Sequence, residues 1–306
     1  MSSHTSPPAG GSDAADDRPG LGRIEPYPLD ARWAAPPPGR ATWPLEPRRA
    51  AVLVHDMQEY FVAVFDRHAS PMAPAVEHIQ LIIETARSAG VPVLFSAQPP
   101  DQAANDRGLL SDFWGPGLTA HDGQPAIIDR LRPRPGEDVL TKWRYSAFQR
   151  TDLAEMLRQA GRDQLVVTGV YAHIGCLATS IEAFMRDLQV FFVADAVADF
   201  SAADHQMAVD YVTRRCGRSV GHAEVVATLS AGSAPAGGVD RDWLRRAVVE
   251  RVGEPVADDD DLIEIGLDSV HLMEIVEDLQ RRGHDIGFTA LAERFTLAEW
   301  FELVER

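Results

Sequence analysis

Five short, largely apolar runs in the first two thirds of the chain are the feature that most limits its fold. They occupy residues 50–54, 92–95, 138–141, 165–170 and 190–194. Their apolar residues are mostly consecutive, as in strands buried on both faces of a sheet. Amphipathic segments lie between them, such as a helix predicted over 75–89 and closed by Gly90. Strands that alternate with helices predict an α/β domain with a mainly parallel sheet and helices on both faces.

Polar or small residues follow four of these runs. Asp56 follows the first run, Gln98 the second and Lys142 the third, and residues 171–175 follow the fourth. In parallel α/β sheets the ligand binds beyond the carboxyl ends of the strands. We therefore expect these residues to face a single crevice.

Lys142 stands out because the chain has 28 arginines and only this lysine. Lysine is a compact charge whose pKa can be tuned, whereas the arginine guanidinium is planar and always charged. The count favours a role for Lys142 that arginine cannot fill. The alternative is that this lysine remains by chance in an arginine-rich sequence.

Composition excludes several classes of protein. The net charge of −17 argues against a nucleic-acid partner, and no apolar run approaches the roughly 20 residues of a membrane span. Residues 1–20 are polar and rich in Ser, Pro and Gly, which predicts a disordered tail and not a signal peptide. The two cysteines, Cys176 and Cys216, form no disulfide framework, so a cytoplasmic location is expected.

A second domain follows a segment of linker composition. Residues 229–238 are mainly Ser, Gly, Ala and Pro, and 239–306 has helical periodicity with 18 acidic and 8 basic side chains. The predicted organisation is a tail at 1–20, an α/β domain at 21–228, a flexible linker at 229–238 and a small acidic all-α bundle at 239–306.

The motif at residues 266–270 precedes the amphipathic stripe of the second helix in this bundle. Ser269 is therefore predicted to be exposed at a helix N-terminus, where an ordinary N-cap serine is the alternative. The acidic bundle, the linker and the position of the serine together resemble the acyl and aryl carrier domains. That resemblance implies a covalent 4′-phosphopantetheine on Ser269.

Four motifs of the α/β domain resemble the isochorismatase family. They lie at residues 55–61, 114–117, 142–148 and 169–176, within a similarity that runs over about 23–227. With the carrier attached, the chain resembles the bifunctional isochorismatase and aryl carrier proteins of catecholate siderophore biosynthesis. The resemblance implies hydrolysis of the isochorismate vinyl ether to pyruvate and 2,3-dihydro-2,3-dihydroxybenzoate, without a cysteine or a metal.

This chemistry needs a proton donor for the terminal vinyl carbon, and Asp56 is the candidate. An aspartate that donates near pH 7 must be protonated, so we expect apolar burial to raise its pKa. Lys142 is expected to steer the substrate carboxylates or to hold Asp56. The two roles conflict, because a nearby ammonium lowers the pKa of a carboxyl group.

The resemblance also implies a substrate pocket lined by Gln98, Arg107, Trp114, Tyr171 and Gly175. Arg107 suits a bidentate grip on a carboxylate, although a surface arginine is the alternative.

Related amidases use an Asp-Lys-Cys triad, and alignment at residues 169–170 places their nucleophile at Gly175. Cys176 is then expected to be a small buried helix residue. His173 and His205 lack the spacing of a metal-ligand cluster and are expected to be structural.

For the carrier, Met273 and Phe288 are the candidate docking residues. Met273 lies at i+4 from Ser269, one helical turn along the same face. The partners that the resemblance implies are a phosphopantetheinyl transferase, an aryl-adenylating ligase, and a condensation or cyclisation domain of a nonribosomal peptide synthetase. A homo-oligomer is compatible with the sequence.

Three other functions remain open at this stage. The same chemistry could act on 2-amino-2-deoxyisochorismate in a phenazine-like pathway. Cys176 could instead be the nucleophile of an amidohydrolase. The α/β domain could also be a non-catalytic scaffold for the carrier, although the presence of Asp56 and Lys142 argues against this.

Overall fold

The computed structural model describes residues 21–29, 31–121, 123–232, 240–282, 284 and 286–304. The chain divides into two compact units between Gly232 and Ser233. The predicted tail at 1–20 and most of the predicted linker, 233–238, lie outside the described residues.

The described part of the first unit contains a six-stranded parallel sheet of order β3-β2-β1-β4-β5-β6. Its strands are β1 (Ala50–His55), β2 (Val93–Ala97), β3 (Val139–Thr141), β4 (Gln164–Val170), β5 (Gln189–Ala198) and β6 (Arg218–Val220). The predicted parallel sheet is confirmed. The sequence analysis missed β6, because an edge strand of three residues that includes Arg218 and Ser219 has no apolar run to reveal it.

Helices cover both faces of this sheet, as predicted. They are α1 (Ala31–Ala34), α2 (Glu59–Val62), α3 (Met72–Ser88), α4 (Ala104–Arg107), α5 (Leu110–Trp114), α6 (Leu153–Gln159), α7 (Leu177–Phe184), α8 (Ala202–Arg215) and α9 (His222–Gly232), with a 3-10 turn at Asp129–Leu131 and a π-helical turn at Ala172–Cys176. Along β1, Val52 and Val54 pack into the core formed with α3 and α9. Ala51 and Leu53 pack into the core formed with α6, α7 and α8. Both faces of β1 are therefore buried, which explains its uninterrupted apolar sequence.

The last helix of this unit corrects the predicted start of the linker. Residues 229–232, assigned to the linker from their composition, continue α9 to Gly232. Leu229 is fully buried against the sheet, so packing overrides the small polar residues around it.

The strand order places a crevice at the centre of the sheet. From β1 the chain proceeds to β2 and β3 on one side, and it returns to β4, β5 and β6 on the other. The carboxyl ends of β1 and β4 therefore diverge into different loops, which is where ligands bind in open α/β sheets.

The described part of the second unit is helical, as predicted. Its helices are α10 (Arg241–Val252), α11 (Ser269–Arg281), α12 (Phe288–Ala292) and α13 (Leu297–Val304). Its core includes Leu272, Ile275 and Leu279 of α11 together with Trp300 and Phe301 of α13. Among the described residues, no helix has both the length and the apolar character needed to cross a membrane.

Candidate active site and carrier attachment site

A pocket opens at the carboxyl ends of the central strands. All seven residues assigned to this site from the sequence line it, namely Asp56, Gln98, Arg107, Trp114, Lys142, Tyr171 and Gly175. The strands thus bring to one place residues that lie more than a hundred positions apart in sequence.

Asp56 lies where β1 ends and is buried at 4% exposure. Its φ of 50° is in the left-handed region, which non-glycine residues seldom adopt. Ser96 at the end of β2 holds it there: the Asp56 N–H donates to Ser96 Oγ and O at 3.2 Å each, and Ser96 Oγ donates to Asp56 Oδ1 at 2.6 Å. The second carboxylate oxygen, Oδ2, is left for other partners.

Lys142 is the main partner of that oxygen. Its Nζ lies 2.8 Å from Asp56 Oδ2 and donates a hydrogen bond of 2.6 Å to the Arg144 carbonyl. Only 1% of Lys142 is exposed, so the ion pair is almost free of solvent screening. Gln98 Nε2 lies 3.5 Å from the same carboxylate oxygen.

The pKa of Asp56 is shifted in the direction opposite to the one expected from the sequence. Burial by itself raises the pKa of this carboxyl, but the adjacent Lys142 ammonium outweighs burial and holds the pKa below its usual range. The expectation of a raised pKa is therefore wrong for the resting site. Sequence reasoning recognised both influences but could not know that the two groups are in contact.

Arg107 provides a second cation in the pocket. It is 4% exposed, and its Nε donates to the Gly115 carbonyl at 2.6 Å. Its Nη1 is buried and has no hydrogen-bond partner among the described residues. A Cβ on Gly117, where φ is 81°, would lie 2.4 Å from that nitrogen, so glycine is required beside the guanidinium. A buried guanidinium that lines the pocket therefore has one donor without a partner among the described residues.

Aromatic side chains form the opposite wall of the pocket. Trp114 Nε1 donates to Tyr145 Oη at 2.7 Å, and Tyr171 Oη donates to the Phe61 carbonyl at 3.0 Å. The Phe200 ring lies 4.5 Å from the Tyr171 ring. Sequence reasoning missed Tyr145 and Phe200 as pocket residues. Tyr145 lies inside the motif at residues 142–148, and Phe200 follows the fifth strand. The expectation that ligands bind beyond the carboxyl ends of the strands could therefore have identified both.

Gly175 lines the pocket, whereas the neighbouring Cys176 does not. Cys176 is fully buried, and its Sγ lies 3.9 Å from the Thr168 carbonyl oxygen. Burial raises the pKa of this thiol well above its usual value, which opposes formation of a nucleophilic thiolate.

The histidines singled out from the sequence have structural partners. His173 Nδ1 lies 2.6 Å from Asp199 Oδ1, and His205 is held by Tyr27 and Ala194. Outside the pocket, His78, Asp195 and His222 form a group that could hold a metal ion. The two imidazole rings of that group stack at 3.6 Å and 7°, so their in-plane lone pairs are not directed at one point.

In the second unit Ser269 is exposed at the first position of α11. Asp268 caps this helix by accepting hydrogen bonds of 2.9 Å from the N–H groups of Val270 and His271. Met273 and Phe288 are 54% and 41% exposed. Ser269 and Phe288 border a groove of about 830 Å³.

Two family models match this chain. The isochorismatase domain matches residues 50–224, and the phosphopantetheine attachment site matches residues 242–304. The first match contains the whole sheet, and the second contains Ser269 and the helix behind it.

Three relatives span most or all of their own lengths in the alignment. The isochorismatase of Bacillus subtilis is 43% identical and covers 92% of this chain and 94% of its own. Enterobactin synthase component B of Escherichia coli is 42% identical, and the alignment covers 88% of this chain and 93% of that protein. Phenazine biosynthesis protein PhzD1 of Pseudomonas aeruginosa is 44% identical over 68% of this chain and 99% of its own.

The pocket, the sheet and the helical unit with its exposed serine thus coincide with two independent family matches. The chain belongs to the isochorismatase family of hydrolases and carries, after that domain, a phosphopantetheine-attachment domain.

Proposed function

We propose that the first unit hydrolyses the vinyl ether of isochorismate to pyruvate and 2,3-dihydro-2,3-dihydroxybenzoate. The observation that carries this proposal is the buried Asp56–Lys142 pair facing a pocket with an unpaired Arg107 donor and no thiol. Isochorismate carries two carboxylates and one acid-labile enol ether, so its charges match the two cations and its chemistry needs only an acid and water.

The ion pair defines how the proton reaches the substrate. In the resting site Asp56 is an anion paired with Lys142. A substrate carboxylate that approaches Lys142 shares its positive charge and adds negative charge near Asp56. Both effects raise the pKa of Asp56. Binding of the dianion therefore favours uptake of one proton by Asp56.

Protonated Asp56 then transfers that proton to the terminal vinyl carbon, which leaves an oxocarbenium ion. Water adds to this ion and returns one proton to the Asp56 carboxylate. The hemiketal collapses to pyruvate and the ring diol, so one water is consumed for each turnover. Lys142 and Arg107 hold the two substrate carboxylates while the positive charge of the oxocarbenium ion develops on the substrate.

We infer that the second unit carries an aryl acid as a thioester on a phosphopantetheine arm attached to Ser269. Support comes from the exposure of Ser269 at the N-terminus of α11 and from the match to the phosphopantetheine attachment family. The similarity to enterobactin synthase component B supports a role of this arm in siderophore-type nonribosomal peptide synthesis. Met273 and Phe288 are the proposed contacts for the transferase, the aryl-adenylating ligase and the condensation domain.

A second candidate substrate is 2-amino-2-deoxyisochorismate, which the phenazine relative brings into consideration. The ether chemistry is identical, and the amino group changes only one ring substituent. The two other functions considered from the sequence lose support. The buried Cys176 is unsuited to an amidohydrolase, and the fully formed pocket is unlike that of a scaffold.

Pyruvate release from isochorismate and from its amino analogue, measured side by side on the full chain, tests the proposal. We expect isochorismate to have the higher kcat/KM and Asp56→Asn to abolish release while the variant keeps its circular dichroism spectrum. A higher kcat/KM for the amino analogue would assign the second substrate. Equal pyruvate release by wild type and Asp56→Asn would refute the mechanism.

A further inference from the structure

His55 is a buried side chain of the pocket to which the proposed mechanism gives no role. It is the last residue of β1, is fully buried and lines the pocket. Its Nδ1 lies 2.8 Å from the Val170 carbonyl oxygen at the end of β4, and its Nε2 lies 3.3 Å from the Tyr145 carbonyl oxygen. The ring therefore connects the end of β1 to the end of β4 and to the loop after β3.

Burial lowers the pKa of this imidazole, so the ring is neutral near pH 7. A neutral imidazole has one N–H, and the shorter contact assigns it to Nδ1, which donates to Val170. The ring is thus held by one hydrogen bond to the Val170 carbonyl, and Nε2, which carries no hydrogen, lies beside the Tyr145 carbonyl oxygen.

His55 also packs directly on Gly175. A Cβ at position 175 would lie 2.2 Å from Cε1 and 2.9 Å from Nε2 of the imidazole. Such distances are far inside van der Waals contact, and the ring cannot move aside without losing its hydrogen bond to the Val170 carbonyl. His55 therefore fills the space that any side chain at position 175 would need.

The same ring lies beside the proposed acid. His55 Nδ1 is 3.8 Å from Asp56 Oδ2, the oxygen that pairs with Lys142. Asp56 has left-handed backbone geometry, so its position depends on restraint by its neighbours. Ser96 of β2 restrains it by hydrogen bonds, and the His55 ring, which is itself bonded to Val170 of β4, lies beside its Oδ2.

We propose that His55 is a positioning residue of the hydrolase, which holds Asp56 Oδ2 toward the substrate and, with Gly175, closes the pocket floor to any nucleophilic side chain. This inference deepens the proposed function and rests on it. It makes His55 and Gly175 a coupled pair: the imidazole at one position requires the glycine at the other. The site is thereby committed to proton transfer and water attack.

Four variants of the full chain test this role: Gly175→Ala, His55→Ala, the double variant, and His55→Asn. Gly175→Ala is expected to lower Tm, because the added methyl meets the ring. The double variant is expected to recover Tm, because removal of the ring makes room for the methyl. His55→Ala and the double variant should both lose at least about 100-fold in kcat with little change in KM, since a misplaced acid costs about this much.

The conservative variant separates positioning from packing. An asparagine amide can replace the Nδ1 donor to Val170, so His55→Asn is expected to recover kcat to within about tenfold of wild type. His222→Gln is the matched control, because the His222 ring is partly buried and bonded to Asp195 and the residue is absent from the pocket lining. It should lower Tm and leave kcat unchanged.

Recovery of wild-type kcat by the double variant would show that His55 only fills space, and would overturn the proposal. A kcat for His55→Ala within about threefold of wild type would do the same. One readout needs no substrate: the 13C signal of the Asp56 carboxyl, assigned with Asp56→Asn, should shift in His55→Ala and not in His222→Gln. An unchanged signal contradicts the positioning role even where the identity of the substrate is in error.

Discussion

At the scale of single residues, the contact between Asp56 and Lys142 decides the chemistry. A buried pair at 2.8 Å is costly to break, because either group alone would be an uncompensated charge in a site of low dielectric constant. The pair therefore keeps the acid ionised until another anion takes over part of the lysine charge. Proton transfer is thus coupled to binding of the correct substrate.

Lys142→Arg tests whether the compact ammonium is required. A guanidinium keeps the charge but is larger and planar, so its donors do not occupy the position of Nζ between Asp56 Oδ2 and the Arg144 carbonyl. We expect kcat/KM to fall at least about tenfold, which is about 1.4 kcal/mol of transition-state stabilisation. The exposed Arg158→Lys is the control and should change nothing. Equal kcat/KM in Lys142→Arg and wild type would make the single lysine an accident of composition.

Cys176→Ala tests the absence of covalent catalysis. The thiol is fully buried, lies outside the pocket lining and has a raised pKa, so its removal should leave kcat nearly unchanged. Unfolding by denaturant should detect a loss of about 1 kcal/mol from the small cavity. A thioester on Cys176, trapped with substrate and seen by intact-protein mass spectrometry, is the finding that would contradict this account.

At the scale of elements, the residues that precede the sheet contact α8 through the buried His205. The His205 ring stacks on Trp33 at 3.8 Å and 3°. Its Nδ1 lies 3.1 Å from Tyr27 Oη, and its Nε2 lies 2.8 Å from the Ala194 carbonyl oxygen. Tyr27 Oη also accepts a hydrogen bond of 2.8 Å from the N–H of Asp199. The segment around Tyr27 and Trp33 therefore supports the loop after β5, which carries the pocket residue Phe200.

Burial lowers the pKa of His205 from 6.5 to about 4. As the pH falls from 6.5 to 4, the unfolded chain binds a proton at this residue and the folded chain does not, so the free energy of unfolding decreases. The decrease in the free energy of unfolding that His205 causes begins near pH 6.5 and is complete below pH 4, where it reaches about 3 kcal/mol. Denaturant unfolding across this range should therefore give a shallower decrease for His205→Gln than for wild type. Parallel curves would contradict the prediction.

The elements that could be predicted from the sequence are those with a strong local signal. The five predicted strands and the helix near 75–89 had continuous or periodic apolar residues, and the structure places strands and α3 there. β6 and the short helices α4 and α5 lack such a signal, since β6 forms by pairing with β5 and the two helices bury no apolar side chain. The residues of the site followed from the strand ends and the family motifs. The direction of the Asp56 pKa shift and the contact of His55 with Gly175 require distances that a sequence does not contain.

At the scale of the whole molecule, the chain consists of two compact units, each with its own hydrophobic core. Among the described residues, those that line the hydrolase pocket belong to the first unit, and Ser269 and the groove beside it belong to the second. Each proposed activity therefore has a complete set of residues within one unit.

Ser269→Ala tests this division of labour. The variant should not gain the mass of a phosphopantetheine arm when treated with a phosphopantetheinyl transferase and coenzyme A, and it should not accept an aryl acid. Its hydrolysis of isochorismate should match wild type, because no pocket residue is altered. A mass gain that persists in Ser269→Ala would place the arm elsewhere, and a large loss of hydrolysis would mean that the two units are coupled.

The origin of the new hydrogen in pyruvate tests the central claim most directly. If Asp56 delivers a solvent-derived proton to the terminal vinyl carbon, hydrolysis of isochorismate in heavy water must place one deuteron in the methyl group of each pyruvate. Mass spectrometry of pyruvate sampled early in the reaction measures this, and unlabelled pyruvate incubated with the enzyme in heavy water corrects for later exchange. The account predicts one deuteron per methyl group at the earliest times. Pyruvate released with an undeuterated methyl group would contradict it.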